Sequence, residues 1–405
     1  MTTPSFAETA PVWSKIGLLS FGGPAGQIAL MQDEVVTRRG WIAPDSFDRG
    51  LAFAMMLPGP EAQQLATWLG WRLHGIWGGV LAGLAFVVPG AALMILLAWI
   101  AAAHGDVPLI AALFAGVQPV VIALVLAAMR KIAGRALSSP LHWGLAAAAF
   151  VAIYALGVPF PFVVAGAALA GLALPSTAQV APVAQGRPIR GHATATIGIA
   201  ALVLGGVFLV NRGAVLDEVA TLFTTAALVT FGGAYAVLPF VADQAVETYR
   251  WLSPEAMLNG LAIAEATPGP LILVNTYAGF FAGWSGTGTA AAGVHTALLA
   301  TIYTFGPSFA LILAFAPAVE RLHSISWAKR ALAGVSAAVV GVIANLVLYL
   351  AEAAFFPMGL DNPDWVKLML FVAALAMVFL LRLGMLALVG IGLTAGLVLH
   401  LLGAF

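Results

Sequence analysis

Long runs of apolar residues dominate this sequence, and they recur in the same order in two halves of the chain. A bilayer core about 30 Å thick needs roughly 20 apolar residues in a helix. By that criterion the pattern predicts about 13 membrane-spanning helices, six in each half and one between them near 194–210. The first six lie near 12–32, 46–74, 76–103, 108–130, 141–157 and 159–175, and the last six near 221–242, 256–284, 288–316, 329–351, 365–381 and 384–403.

The two halves repeat one another in sequence. Residues 21–60 align without a gap on residues 231–270, with 14 identities in 40 positions and an offset of 210. After an eight-residue insertion the offset becomes 218, so that Gly116 corresponds to Gly334. This internal duplication predicts three parts. They are a first transmembrane repeat at 1–175, a cytoplasmic linker with a connecting transmembrane helix at 176–213, and a second repeat at 214–405.

Charged residues in equivalent loops predict that the two repeats are inverted relative to each other. Basic residues follow the fourth apolar segment of the first half, but they precede the fourth segment of the second half. The residues are Arg130, Lys131 and Arg135 in the first half and Arg321, Lys329 and Arg330 in the second. Because cytoplasmic loops carry the excess of Lys and Arg, we expect the N-terminus in the cytoplasm and the C-terminus in the periplasm.

Composition agrees with an all-α polytopic membrane protein. Hydrophobic residues make up 62% of the chain and charged residues only 8%, whereas soluble proteins carry about 25% charged residues. The formal net charge is zero, which gives no reason to expect nucleic acid as a partner. Cysteine is absent, which excludes disulfides and thiolate metal sites. No metal or cofactor is expected.

Two motifs that break helices occur at matching positions in both halves. They are Gly22-Gly23-Pro24 with Gly232-Gly233, and Pro58-Gly59-Pro60 with Pro268-Gly269-Pro270. A helix broken inside a membrane exposes N–H groups and about half a positive charge at its new N-terminus, which attracts an anion. Secondary transporters with inverted repeats bind substrate at such broken helices, so these motifs are the predicted substrate-binding site. If the broken segments are re-entrant, the number of spanning helices falls to about nine.

Polar and basic residues near these breaks are further candidates for substrate binding. Gln27, Gln63 and Asn275 lie close to the motifs in sequence, with interhelical hydrogen bonding as the alternative role. Lys15 and Arg72 are the basic residues expected at membrane depth to compensate an anion. Both could instead extend to the membrane interface from near a helix end.

Two glutamates are candidates for proton coupling. Glu61 directly follows the first Pro-Gly-Pro motif, and Glu265 precedes the second. A carboxyl group buried in a bilayer is costly and usually functional. Because burial favours the neutral form of a carboxyl group, either residue could carry a proton.

The motifs resemble those of the chromate ion transporter family in its long, two-domain form. The resemblance is carried by Ser20-Phe21-Gly22-Gly23-Pro24 with Gln27, Asp33 and Glu34, and by Leu57-Pro58-Gly59-Pro60 with Glu61 and Gln63. The second half repeats part of this pattern as Thr230-Phe231-Gly232-Gly233 with Asp243 and Trp251, and as Thr267-Pro268-Gly269-Pro270. It departs from the pattern at Ala234, Val237 and Leu271, so the two halves are not expected to contribute equally.

The resemblance implies a secondary transporter that exports chromate across the bacterial inner membrane and confers chromate resistance. It implies the membrane potential or the proton gradient as the energy source, and inverted halves. The expected partners are chromate, with sulfate as a look-alike, and the lipid bilayer; a homodimer is a possible assembly.

Three alternatives remain open from the sequence. An importer or exchanger of sulfate or another tetrahedral oxyanion would need the same kind of site, because chromate and sulfate share size, shape and charge. A channel is also compatible, since broken helices build pores. An intramembrane enzyme would need a nucleophile–base pair or a metal cluster at membrane depth. No such pattern occurs in the sequence, so the chain is not expected to be an enzyme.

Overall fold

The computed structural model describes residues 4–21, 23–173, 190–231, 233–319, 326–359 and 361–403. Gly22 and Gly232, both expected in the substrate site, lie outside these residues. The secondary structure found in the described ranges is helical throughout. Five helices are long and apolar enough to cross a membrane, and the chain is a multi-pass membrane protein. The number of about 13 spans stays a prediction.

The helices follow the predicted apolar segments closely. The first half contains α1 (Phe6–Leu19), α2 (Gly23–Gln32), α3 (Pro44–Ala54), α4 (Glu61–His104), α5 (Pro108–Ala136), α6 (Pro140–Tyr154) and α7 (Phe160–Leu172). The connecting helix is α8 (Arg190–Val210). The second half contains α9 (Ala214–Val229), α10 (Leu238–Ala242), α11 (Pro254–Ala266), α12 (Val274–Thr287), α13 (Ala290–Phe315), α14 (Ser326–Phe355), α15 (Trp365–Phe379) and α16 (Met385–Leu401). The five long apolar helices are α4, α5, α8, α13 and α14.

The predicted boundary between the second and third segments of the first half is confirmed, and the second segment is interrupted at its Pro-Gly-Pro motif. The Pro-Gly-Pro motif separates α3 from α4, since each Pro removes a backbone donor and disfavours helix in the residue before it. Helix α4 runs from Glu61 to His104 but leaves helical geometry at His74 and Gly75. The chain reverses direction there, since a Cβ atom on Gly70 would lie 2.3 Å from the carbonyl oxygen of Gly78 and one on Gly83 would lie 2.3 Å from Thr67 Oγ1. Gly75 has φ +65°, a conformation that glycine adopts without steric cost. The turn at Gly75 therefore lies between the segments predicted near 46–74 and 76–103.

Each half packs its last helices against the other half. Helix α5 contacts α14, α15 and α16, and its equivalent α14 contacts α5, α6 and α7. Glycines allow these close approaches. A Cβ atom on Gly116 of α5 would lie 2.3 Å from the carbonyl oxygen of Gly392, and one on Gly334 of α14 would lie 2.7 Å from the Cα of Gly171. The two repeats are therefore interlocked by equivalent contacts.

The part of α4 after Gly75 packs against α13, its equivalent in the second half. Leu313 lies against Gly79, and Phe309 lies against Gly83. Residue numbers thus rise along α4 while they fall along α13, so the two helices run in opposite directions where they touch. The connecting helix α8 packs on α13.

Candidate functional site

The helix breaks of the two halves are joined by a reciprocal pair of backbone hydrogen bonds. The N–H of Gly59 donates to the carbonyl oxygen of Thr230 at 2.8 Å, and the N–H of Gly269 donates to the carbonyl oxygen of Ser20 at 3.0 Å. Gly59 and Gly269 are equivalent in the duplication, as are Ser20 and Thr230. Each Pro-Gly-Pro motif therefore binds the residue that precedes the Phe-Gly-Gly motif of the other half.

Hydroxyl side chains end the helices before the Phe-Gly-Gly motifs. The Ser20 hydroxyl donates to the carbonyl oxygen of Ile16, and the Thr230 hydroxyl donates to that of Ala226. Such a bond to the residue four positions earlier satisfies a carbonyl in the last turn and often bends a helix. The helices end just before Ser20 and Thr230. The carbonyl oxygens of these two residues accept hydrogen bonds from the N–H groups of Gly269 and Gly59.

Gln27 binds both halves at once. Its Nε2 donates to the carbonyl oxygen of Gly269 at 2.7 Å and to that of Ser20 at 3.2 Å. The side chain is buried. Val237, the equivalent residue of the second half, cannot make these bonds. The backbone hydrogen bonds of the junction are therefore equivalent in the two halves, whereas the side-chain bonds of Gln27 have no counterpart at Val237.

Gln64 binds the first Pro-Gly-Pro motif directly, and Gln63 binds Ser308, which lies against Gly59 of that motif. The Ser308 hydroxyl donates to Gln63 Oε1 at 2.7 Å, and Gln64 Nε2 donates to the carbonyl oxygen of Pro58 at 2.7 Å. A Cβ atom on Gly59 would lie 2.7 Å from Ser308 Oγ. Gly90 is the residue equivalent to Ser308, and it lies against the second Pro-Gly-Pro motif. A Cβ atom on Gly90 would lie 2.2 Å from the carbonyl oxygen of Pro268, so here the two backbones are in direct contact.

The helices that follow the Pro-Gly-Pro motifs begin inside the protein. Pro60 precedes α4 and makes no side-chain capping bond, and Ala62 and Gln63 in its first turn are buried. Leu271 and Ile272 after the second motif are also buried, with no side-chain cap in the described residues. First-turn N–H groups have no partner within a helix. These two helix starts are the donors at the junction that suit an anion.

Most of the expected binding residues surround this junction. Those placed at or beside it are Gly23, Pro24, Gln27, Pro58, Gly59, Pro60, Gln63, Gly233, Pro268, Gly269 and Pro270. Asn275 lies one turn into the second helix start and donates to Thr304 Oγ1 at 3.2 Å, so it joins α12 to α13. The acceptor oxygens Gln27 Oε1, Gln64 Oε1 and Asn275 Oδ1 are buried with no hydrogen-bond donor among the described residues. Because acceptor oxygens repel an anion, backbone N–H groups must provide the attraction.

Comparison with known proteins identifies the family. The family described as chromate transporter matches residues 7–172 and 218–397. A chromate transport protein of Pseudomonas aeruginosa is 34% identical over 358 residues, which cover 86% of this chain and 82% of that protein. The chain belongs to the chromate transporter family.

Other relatives in the chromate transporter family match over a similar length. A probable chromate transport protein of Synechococcus elongatus is 27% identical over 351 residues, covering 86% of this chain and 85% of that protein. A chromate transport protein of Cupriavidus metallidurans is 27% identical over 365 residues, covering 87% and 86%. These relatives are transport proteins and not enzymes, as expected from the sequence. No solved structure matches the chain.

The two basic residues expected to compensate the substrate make no polar contact with the described residues of the breaks. Lys15 Nζ lies 2.8 Å from Glu34 Oε1, and Arg39 also pairs with Glu34. Glu34 lies in the turn after α2, outside the long apolar helices, and its side chain is 1% exposed. The hydrogen bond from Lys15 holds the pKa of Glu34 below its ordinary value. Arg72 is exposed two residues before the turn in α4, without an ion-pair partner in the described chain.

The two candidate proton carriers have different surroundings in this member of the chromate transporter family. Glu265 is buried and accepts a hydrogen bond from the Tyr235 hydroxyl. Glu61 is the first residue of α4 and lies within electrostatic range of Lys131 and Arg135 of α5. The carboxyl that is hydrogen-bonded inside the protein thus belongs to the second half, and the one facing basic residues belongs to the first.

Sequence reasoning missed several polar residues between the halves. Tyr235 and Ser308 are examples, and Tyr235 stands two residues after Gly233 of the second Phe-Gly-Gly motif. A further network joins α5, α11 and α15, where Lys367 Nζ donates to Gln118 Oε1 at 3.0 Å and Gln118 Nε2 donates to Asn259 Oδ1 at 2.9 Å. No motif marks Lys367, and Gln118, which accepts from its Nζ, lies 249 positions earlier in the chain.

Proposed function

We propose that this protein exports chromate across the bacterial inner membrane as a secondary transporter and thereby confers chromate resistance. The observation that carries the proposal is the reciprocal pairing of Gly59 with Thr230 and of Gly269 with Ser20. It joins four helix breaks at one junction between two repeats, which is the arrangement that secondary transporters use for binding. The named relatives supply the substrate, chromate.

Binding of a dianion at this junction would rely on backbone donors. The starts of α4 and of the turn Leu271–Leu273 carry N–H groups that the helices leave unused. Roughly half a positive charge at each helix start would be little screened in a site without bulk water. Two such starts together give an attraction suited to chromate, and sulfate would compete because it has the same shape and charge.

We also infer that the two repeats have inverted topology. Helices α4 and α13 are equivalent in the duplication and run in opposite directions where they touch. A two-fold axis that relates two antiparallel helices is perpendicular to both of them. Since α4 and α13 are expected to span the membrane, the axis that relates them would lie in the membrane plane. That relation supports inverted repeats, with the N-terminus in the cytoplasm and the C-terminus in the periplasm.

Labelling of introduced cysteines tests the inversion, because the chain has no native cysteine. Lys131 and Tyr349 are equivalent at the offset of 218. In intact cells a membrane-impermeant maleimide should label Tyr349→Cys but not Lys131→Cys, and in everted vesicles the pattern should reverse. Labelling of both from the same side would contradict inversion.

We assign the coupling of transport to the proton gradient to Glu265, in the second half. Glu265 is a buried carboxyl directly before the second break, hydrogen-bonded to Tyr235. A carboxyl there can take up and release a proton as the helices around the break move. The membrane potential alone also favours export of a dianion, since the cytoplasm is negative.

Everted membrane vesicles test the direction of transport. Their outer face is the cytoplasmic face, so an exporter should accumulate radiolabelled chromate when the membrane is energised. Vesicles with Gly59→Ala protein at equal abundance serve as the control for leak. Accumulation of chromate only in right-side-out vesicles would contradict export.

A further inference from the structure

The connecting helix α8, which belongs to neither repeat, is fastened to α13 at both of its ends. Near the start of α8, His192 Nε2 lies 3.0 Å from the carbonyl oxygen of Leu313. One residue after the end of α8, Asn211 Oδ1 lies 2.7 Å from His295 Nε2 of α13. The position of α8 along α13 is therefore held by polar contacts on either side of its apolar middle.

A cavity of about 720 Å³ separates the middle of α8 from α4. It is bounded by α8 between Thr196 and Leu204, by α13 between Leu298 and Leu313, and by α4 between Ile76 and Ile95. Along α13 it extends about 22 Å, at 1.5 Å per residue. The cavity therefore lies lengthwise between three of the five long apolar helices.

The wall of this cavity is apolar. Among the described residues that line it, none is charged, and its hydroxyl groups belong to Thr196 and Thr301. Thr196 Oγ1 donates to the carbonyl oxygen of His192 at 2.9 Å, and Thr301 Oγ1 donates to that of Ala297 at 2.8 Å. Water would find too few polar partners to be held here, and an empty cavity would deprive its lining of dispersion contacts. The wall therefore favours an apolar occupant.

The dimensions of the cavity distinguish between apolar occupants. A helix about 10 Å across and 22 Å long occupies roughly 1,700 Å³, which is more than twice the cavity volume, so a helix from a second copy is too large. A hydrocarbon chain is thinner and flexible, and lipid chains are the molecules that surround helices in a bilayer. We propose that the cavity between α4, α8 and α13 is a binding site for an acyl chain of a membrane phospholipid.

This site differs from ordinary lipid contact on the outer face of α8, where Leu202 is 78% exposed. A chain in the cavity is enclosed by three helices and lies close to the junction of the two repeats. Phe309 lines the cavity, and the adjacent Ser308 donates to Gln63 Oε1 and lies against Gly59. Occupancy should therefore stabilise the helix that forms one wall of the junction.

Native mass spectrometry of the full-length protein, after detergent exchange has removed loosely held lipid, tests the site. The unmodified protein should retain a phospholipid adduct. Ala200→Phe places a ring in the cavity from α8, and a close-packed site cannot hold both ring and chain, so the retained fraction should fall at least about threefold. Ala201→Phe is the matched control, since Ala201 is exposed and does not line the cavity, and it should retain the adduct.

Thermal melting in detergent gives a second readout. Phospholipid added to the delipidated protein should raise its melting temperature by roughly 3 °C, because a ligand that binds the folded state stabilises it. Ala201→Phe should show the same rise, and Ala200→Phe should show little. Ala92→Phe, which fills the cavity from α4, should repeat the result from the opposite wall.

Three results would overturn the lipid site. They are the absence of an adduct on the unmodified protein, equal adducts and equal rises in melting temperature for Ala200→Phe and Ala201→Phe, and a lipid-free dimer that Ala200→Phe dissociates. The last result would assign the cavity to contact with a second copy. None of these measurements uses chromate, so failure of the proposed function would leave this inference standing.

Discussion

Gln27 Nε2 lies 2.7 Å from the carbonyl oxygen of Gly269, a residue 242 positions later in the chain. The same nitrogen reaches Ser20, whose carbonyl oxygen also accepts from the Gly269 N–H. One amide group thus ties the end of α1 to the second Pro-Gly-Pro motif. Its bonds are made to backbone atoms, so it holds the shape of the junction in which the two repeats meet.

Replacement of Gln27 by Val should strongly reduce transport. The substitution gives the first half the residue that the second half carries at the equivalent position, and it leaves two buried carbonyl oxygens with one donor fewer. A buried group that loses its partner costs about 1–3 kcal/mol, so we expect flux to fall at least about tenfold and thermal stability in detergent to fall as well. Flux equal to that of the unmodified protein would show that the bridge is dispensable.

Gly59→Ala should abolish most transport while leaving membrane insertion intact. Gly59 has φ +126°, which alanine rarely adopts, and the added Cβ would lie 2.7 Å from both Ser308 Oγ and Gln64 Nε2. Backbone strain of this kind costs about 1–3 kcal/mol, which corresponds to a loss of about tenfold or more.

Gly40→Ala is the matched control for this prediction. Gly40 also has positive φ, +61°, but a Cβ there meets no atom within 4 Å, and the residue is exposed. Its flux should stay near that of the unmodified protein. Equal losses for Gly40→Ala and Gly59→Ala would mean that contacts at the junction do not matter.

The ion pairs of Glu34 should make stability depend on pH. Lys15 lowers the pKa of Glu34 in the folded protein, so the carboxylate stabilises the fold above the unfolded pKa, and this contribution is lost as pH falls through the folded pKa. Glu34→Gln should therefore lower the melting temperature in detergent by roughly 5 °C at pH 7. The difference should begin to shrink near pH 4, where an unperturbed Glu titrates.

Asp33→Asn provides the comparison for Glu34→Gln. Asp33 pairs with Arg38 at 2.6 Å, but both side chains are well exposed, at 41% and 60%. Exposed pairs contribute little to stability, so this variant should melt close to the unmodified protein at every pH. A pH-independent loss in Glu34→Gln would contradict the electrostatic explanation.

The Tyr235–Glu265 pair should determine the response to a pH gradient. Glu265→Gln cannot exchange a proton, so chromate flux should lose its stimulation by a pH gradient while flux driven by the membrane potential persists. Tyr235→Phe keeps the carboxyl but removes its hydrogen bond, so stimulation should remain with an altered pH dependence. Met55→Leu, at the first-half position equivalent to Glu265, should behave as the unmodified protein. Full stimulation in Glu265→Gln would exclude this carboxyl as the proton carrier.

The sequence predicts the helices well because their length and polarity are local properties. The segment expected near 384–403 is α16, Met385–Leu401, and the segment expected near 365–381 is α15, Trp365–Phe379. Helix breaks are equally local, since Pro and Gly act through their own backbone. The turn at Gly75 likewise lies at the boundary that the apolar pattern predicts between the segments near 46–74 and 76–103.

Contacts between the halves could not be predicted from the sequence. Gln27 was expected beside the substrate, but nothing local indicates that it binds Gly269. Lys15 was expected as a compensating cation, and its pairing with Glu34 depends on how α1 packs against the turn after α2.

The most direct test of the account is chromate flux by the purified protein in proteoliposomes, with the membrane potential and the pH gradient set independently. Radiolabelled chromate and sulfate are supplied separately and in competition, and protein-free liposomes measure leak. The account predicts saturable chromate flux that responds to at least one gradient, is inhibited by sulfate, and is lost in Gly59→Ala. Sulfate movement without chromate movement, or chromate flux that persists in Gly59→Ala, would contradict it.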